Sequence, residues 1–306
     1  MNVLAKEFRV TTAIGNGPLQ AIRILLGVLQ STVVFCWFAS VYAAVATLAA
    51  GIVGKRSMIV VGGVDMAKEK EFGYGMWLSP WKSFLVRAAI RNAYRVLVVD
   101  ESLKAEVLSR AGYQGENIEV LPTGYDPEFW RPSGPKENIV LTVAAVQNEG
   151  RSKIKGIDLL FDAAKKLPHV KFELIGLERS MVRDEDVPEN CALHPGVEQS
   201  GLLQHYQRAT IYCQPSRREG LSNSLCEAML CGCIPVATDV GGSARAVGET
   251  GVVVQPGNSD ELAAAIERAL TLPAQAGSNA RERIIGLFPK HVREKRLVDL
   301  IRGIIR

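Results

Sequence analysis

Two glutamates, Glu219 and Glu227, stand eight positions apart in the run Pro215-Ser-Arg-Arg-Glu-Gly-Leu-Ser-Asn-Ser-Leu-Cys-Glu-Ala-Met-Leu-Cys-Gly-Cys-Ile-Pro-Val-Ala-Thr238. A β-rich stretch, Thr210 to Gln214, leads into a polar loop, and an apolar-periodic helix is predicted to begin near Ser222. One carboxylate therefore precedes the helix, and the other lies on its second turn. Ser222 and Asn223 are good N-cap types. The helix they open leaves first-turn N–H groups unpaired at the positive end of its dipole, which favours an anion, most plausibly a phosphate. Gly220 lets the chain approach a ligand closely, because it has no Cβ. Glu227 could accept hydrogen bonds from neighbouring hydroxyls such as those of a ribose, and Glu219 could reach a second polyol or a developing positive charge. First-turn acids also stabilise a helix dipole, so spacing alone leaves capping and ligand binding both open.

The neighbouring residues favour a built site. Leu225, Met229, Leu230, Ile234 and Val236 set the motif between a buried helix and a buried strand. A second cluster follows the predicted strand Ile139 to Val146, in the loop Gln147-Asn-Glu-Gly-Arg-Ser-Lys-Ile-Lys-Gly156. Loops at the C-terminal edge of parallel strands are where open α/β sheets bind ligands. Arg151 and Lys155 can neutralise a diphosphate there, one by a fork and one as a point charge. A solvated basic loop is the alternative.

The segment Pro215 to Thr238, with Asp239-Val-Gly-Gly242 and the run from Gly251 to Ile266, resembles the donor-binding half of retaining glycosyltransferases of family 4, the "glycosyl transferases group 1" domain. Two glutamates separated by seven residues are its hallmark. The likeness runs from about Ile139 to Ile266, and more weakly over the N-terminal half. It implies an α/β fold of two facing Rossmann-like domains (GT-B) with an inter-domain cleft and a last helix that often crosses back to the first domain. It also implies transfer of a sugar from a nucleotide-diphosphate donor, with configuration retained and neither metal nor other cofactor required. Lys155, Arg151 and the helix N–H groups near Ser222 and Asn223 would then stabilise the departing diphosphate. Glu227 would hold the ribose, Glu219 would contact the donor sugar, Gly196-Val197 would cup the base, and Gly220 and Leu221 would complete the donor loop. Similar enzymes carry the Lys just before a Gly, as Lys155 does. Their Arg lies close behind a strand-ending Gly, whereas this chain has Ala145-Val146-Gln147 and a longer loop, so Lys153 could substitute for Arg151. Arg245 occupies a place where relatives tend to have an acid.

The N-terminal half departs further. Similar enzymes open with a strand and a Gly-rich loop, and this chain reads from what would be their second strand, with Gly15-Asn16-Gly17 as the available substitute. Where many relatives place a His, the sequence reads Gly62-Gly63-Val64-Asp65. Asp65 could orient an acceptor hydroxyl or cap a helix at Met66.

Strands and helices alternate along the whole chain, which predicts parallel sheets covered on both faces. Residues 1–130 read as an abbreviated, acceptor-side Rossmann-like domain, 131–288 as the nucleotide-sugar-binding domain and 289–306 as a C-terminal helix, the tail being helical and amphipathic from Arg281. The breaker-dense run Pro122 to Pro135 reads as the linker. From Ile24 to Gly54 no residue is charged, a length that could span a bilayer. The preferred reading is a strand, Thr32 to Phe38, followed by a small-residue helix, Val41 to Val53, and a strand from Ser57.

With 306 residues, 47% apolar and 22% charged, the chain has material for two cores, and its net charge of +4 gives no case for nucleic acid. Six cysteines without paired metal spacing read as small buried hydrophobes in a reducing compartment. No signal-peptide pattern is visible, so the expected location is cytoplasmic, with peripheral contact at the inner face of the membrane. The stretch Phe72 to Lys82, rich in Trp and Tyr, suits either a lipid-headgroup interface or a core-packing loop. The four histidines show no carboxylate partner in sequence. The unidentified acceptor is expected to be lipid-linked or a polysaccharide. Two other readings compete: a nucleotide-sugar-binding partner subunit that has lost acceptor chemistry, and a sugar-nucleotide epimerase or phosphorylase on the same plan.

Overall fold

The computed structural model describes residues 2–305 and falls into two compact units, Met1–Gly124 with Lys290–Arg306, and Tyr125–Pro289. The first begins with α1 (Asn2–Glu7) and α2 (Pro18–Gln30), then alternates β1 (Val33–Trp37), α3 (Val41–Ile52), β2 (Arg56–Val61), α4 (Pro80–Asn92), β3 (Arg95–Val98), α5 (Glu101–Ala111) and β4 (Ile118–Val120). The second contains β5 (Glu137–Val143), α6 (Glu149–Ile154), α7 (Ile157–Lys166), β6 (Lys171–Ile175), β7 (Cys191–His194), α8 (Gln199–Arg208), β8 (Ala209–Gln214), α9 (Asn223–Leu230), β9 (Ile234–Thr238), α10 (Ser243–Val247), β10 (Val252–Val254), α11 (Ser259–Leu270) and α12 (Gln275–Leu287). The last helix, α13 (Lys290–Ile305), belongs to the first unit, where it packs against α1 and β1.

In the first unit the four strands are parallel in the order β1-β2-β3-β4. Right-handed crossovers place α3, α4 and α5 on one face of this sheet. The Ser40 hydroxyl caps α3 by accepting from the Ala43 N–H at 3.2 Å, and buried Ala43, Ala44, Ala46 and Ala50 let the helix lie close against its neighbours. The uncharged segment is thus α2, β1 and α3, and among the described residues no helix is long and apolar enough to cross a membrane. Helix α2 turns its apolar residues outward, with Leu19, Ile22, Leu26 and Leu29 exposed and Gln20 buried.

The second sheet is wholly parallel, in the order β10-β9-β8-β5-β6-β7. Its direction of winding reverses between β5 and β8, and such a switch point opens a crevice at the carboxyl ends of the strands. Val140, Leu174, Ile211 and Val236 of the strands pack with Leu160, Leu262 and Ile266 of α7 and α11 in one buried core. The burial of these side chains is the main force holding the strand ends in place.

Three boundaries differ from expectation. The second unit begins at Tyr125 rather than 131, because Trp130 is buried against Tyr206 with ring centroids 5.5 Å apart. The tail is two helices, broken at Phe288-Pro289 because proline disfavours the helical conformation in the residue before it. The expected loop 147–156 contains α6, whose N-cap Asn148 accepts from the Arg151 N–H at 2.9 Å. Six helical residues are too few to print a period in the sequence.

Candidate active site

Lys155 follows β5 by way of α6, and Glu219 follows β8, so the two leave adjacent strands on opposite sides of the switch point. Gly156 has a φ of 68°, and a Cβ there would overlap the Pro215 carbonyl. Only glycine allows that corner to seat against the exit of β8. Arg217 locks the same contact from the other side. Its N–H donates to the Ile154 carbonyl at 2.7 Å, and its guanidinium forks onto Asp158 at 2.7 and 2.9 Å while donating to the Lys153 carbonyl at 2.6 Å. Burial alone would raise the Asp158 carboxyl, but Arg217 and Lys153 outweigh it and hold it below the usual range. Lys153 pairs with Asp158 at 3.2 Å.

Lys155 Nζ lies 2.5 Å from Glu219 Oε1. The same oxygen accepts from Ser216 Oγ at 2.8 Å and Gln214 Nε2 at 3.1 Å. Three donors on one carboxylate oxygen fix its rotamer and leave the group oriented. Gln214 is fully buried, and its Oε1 accepts from Ser222 Oγ at 2.7 Å and Tyr212 Oη at 3.1 Å. Ser222 in turn accepts from the Leu225 N–H at 3.3 Å and so caps α9. A continuous chain of hydrogen bonds therefore joins Lys155 to the N-terminus of α9. Gly241, at φ 55°, has no room for a Cβ against the Glu219 and Gly220 carbonyls, and the Gly242 N–H donates to the Gly220 carbonyl at 2.6 Å. Both ends of the loop are thereby clamped.

Glu227 sits on the second turn of α9, where burial pushes its carboxyl up to about 7, only partly offset by Tyr206 Oη at 3.4 Å. Asn223 is exposed at the start of the helix, its Oδ1 accepting from Tyr125 Oη at 3.0 Å. Leu221 is buried beneath the loop. Arg151, on α6, donates Nε to the Ala145 carbonyl at 2.6 Å, which holds it at the exit of β5 but not on Glu219. Gly196 and Val197 lie exposed just after β7. Close by, His205 Nδ1 is 2.9 Å from Glu173 Oε2, a carboxylate partner not expected from sequence because thirty-two positions separate the two residues. Arg245 stacks over the Phe288 ring at 5.7 Å.

The first unit treats its three candidates differently. Asp65 is buried, and its carboxylate accepts from the N–H groups of Ala39 (3.0 Å), Gly62 (3.3 Å) and Gly63 (2.8 Å). It does not cap the short helix at Met66; it ties the exits of β1 and β2 together. Gly63 serves that turn, while Gly15 is exposed ahead of α2 with Gln20 folded near it. The aromatic stretch divides. Trp77 is buried and donates Nε1 to the Asp65 carbonyl at 2.9 Å, whereas Trp81 is exposed with Lys82 over its ring.

Gln214, Ser216, Tyr206 and Tyr212 escaped sequence reasoning. A usable signal existed for Gln214 alone, a polar residue closing an otherwise apolar strand. Among the described residues no three His, Cys, Asp or Glu gather as a metal would require.

Residues 137–271, which lie within the second unit, match the family described as Glycosyl transferases group 1. Among curated proteins, the chain is 25% identical over 234 residues to the MMP alpha-(1->4)-mannosyltransferase of Mycolicibacterium hassiacum, covering 69% of this chain and 56% of that protein. It is 28% identical over 223 residues to the D-inositol 3-phosphate glycosyltransferase of Gordonia bronchialis, covering 63% and 48%. The chain thus spans about half the length of these relatives. Among solved structures, Anabaena HepE in complex with UDP-glucose superimposes with a TM-score of 0.79 at 17% identity, covering 99% of this chain and 88% of the other. Sucrose-phosphate synthase from Thermosynechococcus elongatus gives 0.77 at 20% identity, covering 94% and 78%. The fold is that of GT-B glycosyltransferases, with two parallel-sheet units.

Proposed function

We propose that the protein is a retaining glycosyltransferase that moves a sugar from a nucleotide-diphosphate donor to an acceptor handled by the first unit. The observation that carries this reading is the Lys155–Glu219 pair, oriented by Gln214 and Ser216 and linked through Ser222 to the N-terminus of α9. Departure of a nucleoside diphosphate builds negative charge, and Lys155 with the first-turn N–H groups of α9 meets it where it develops. Glu227 takes the ribose hydroxyls, and its half-buried carboxylate gains two donors in doing so. Glu219 contacts the donor sugar. Gly196 and Val197 border the base, and Arg151 adds charge at the strand exit. In this reading neither metal nor other cofactor is needed, because the cationic side chain and the helix end serve the diphosphate. UDP-glucose is the first donor to test, since HepE was crystallised with it. The acceptor is proposed to be lipid-linked or a polysaccharide, met on the cytoplasmic side at the surface of a membrane.

The test is direct. Purified protein is titrated with a panel of nucleotide sugars, and release of nucleoside diphosphate is followed with and without acceptor extracts. Saturable binding that Glu227→Ala weakens supports the assignment. Absence of binding to every donor would reject it.

A further inference from the structure

Among the described residues, helix α2 carries an exposed apolar face. At about 100° per residue, Leu19, Ile22, Leu25, Leu26 and Leu29 fall within an arc of about 120°. Leu19 is 69% exposed, Ile22 54%, Leu26 53% and Leu29 61%, so the stripe faces outward, while Gln20 and Val28 turn inward and are buried. The helix packs on α3, and α3 packs on α4, forming one helical layer. Lys55 fastens the far end of α2, donating Nζ to the Val28 and Leu29 carbonyls at 2.8 and 2.7 Å. On α4 the layer adds Trp81 and Phe84, both well exposed.

The charges of this layer decide what the face can meet. Helices α2, α3 and α4 hold Arg23, Lys82, Arg87 and Arg91 and no Asp or Glu, and no acidic residue occurs between Glu7 and Asp65. Over residues 1–124 and 290–306 there are 19 Lys and Arg against 11 Asp and Glu, net +8, whereas residues 125–289 hold 17 against 21, net −4. A second copy docking here would set like charges against one another. An acidic lipid surface offers the complement: hydrocarbon for the Leu and Ile stripe, an interfacial zone for Trp81 and Phe84, and anionic headgroups for the arginines. At thirteen residues α2 is too short to cross a bilayer and suited to lie in its surface. We propose that the α2 face, with the exposed aromatics of α4, docks the first unit onto anionic membrane. This inference stands on the surface of the first unit and is independent of the donor chemistry.

The test uses the full chain and co-sedimentation with vesicles of phosphatidylcholine alone or mixed with phosphatidylglycerol. Binding to the mixed vesicles, weak binding to phosphatidylcholine and loosening by salt are expected. Leu26→Glu should lower the partition coefficient by about tenfold or more, and Val292→Glu, which adds the same charge on exposed α13, should change it far less. Circular dichroism and nucleotide-sugar binding serve as controls that both variants remain folded. The proposal fails if the wild-type protein ignores anionic vesicles, or if Leu26→Glu binds them as the parent does. It fails equally if light scattering shows a dimer that Leu26→Glu dissolves while vesicle binding is absent.

Discussion

At the scale of single residues, Glu227 is the candidate-site carboxyl that burial shifts upward. Its carboxyl is raised from 4.5 to about 7 by burial. A raised carboxyl pKa means that its neutral form suits the fold, so this contribution to stability is present below about pH 4.5 and is lost as the pH climbs through 7. Glu227→Gln should therefore stabilise the ligand-free protein at pH 8 by on the order of 1 to 3 kcal/mol and leave it nearly unchanged at pH 4.5, as chemical denaturation would record. Ribose hydroxyls prefer the ionised form, so donor binding should release protons and tighten as the pH rises from 6 to 8. Calorimetry in buffers of different ionisation enthalpy measures that release, and proton uptake on binding would contradict the assignment. If Lys155 meets the leaving group as proposed, Lys155→Ala should lower kcat by roughly 100-fold to 1,000-fold, with a smaller change in donor affinity.

At the scale of elements, the exits of β5 and β8 must touch for the pair to form, and Gly156 permits it. Gly156→Ala forces a side chain into a left-handed φ and against the Pro215 carbonyl, so a loss of about 2 kcal/mol or more is expected in urea unfolding, with activity falling alongside. The same element shows what a sequence can and cannot disclose. Lys155, Glu219 and Ser222 were legible because the strand periods, the N-cap chemistry and the glutamate spacing all point to one sheet edge. The partners of Glu219 were not, since Gln214 and Ser216 reach it only once the strand end and loop are folded. Asp65 shows the opposite case. Its side chain type suggests chemistry, yet three backbone N–H groups that no linear pattern reveals claim its carboxylate. Helix α2 stayed hidden because its apolar residues run straight on into the uncharged stretch from Ile24 to Gly54, which reads as one long segment.

At the scale of the whole molecule, the two units carry opposite charge and different tasks. The acidic second unit holds the Lys155–Glu219 pair proposed to meet a diphosphate, and the basic first unit turns an apolar helix outward. If the cationic side chain and the end of α9 serve the diphosphate, prolonged dialysis against EDTA should leave transfer intact; activity lost and restored by magnesium would overturn that part of the account. The central claim is that Glu227, Lys155 and the capped end of α9 hold a nucleotide sugar. The most direct measurement is calorimetric titration of the donor panel, UDP-glucose first, into wild-type protein, Glu227→Ala and Lys155→Ala. The account predicts saturable binding of at least one donor that falls at least about tenfold in both variants, as the loss of charged hydrogen bonds requires. Binding of equal strength in all three proteins would contradict it.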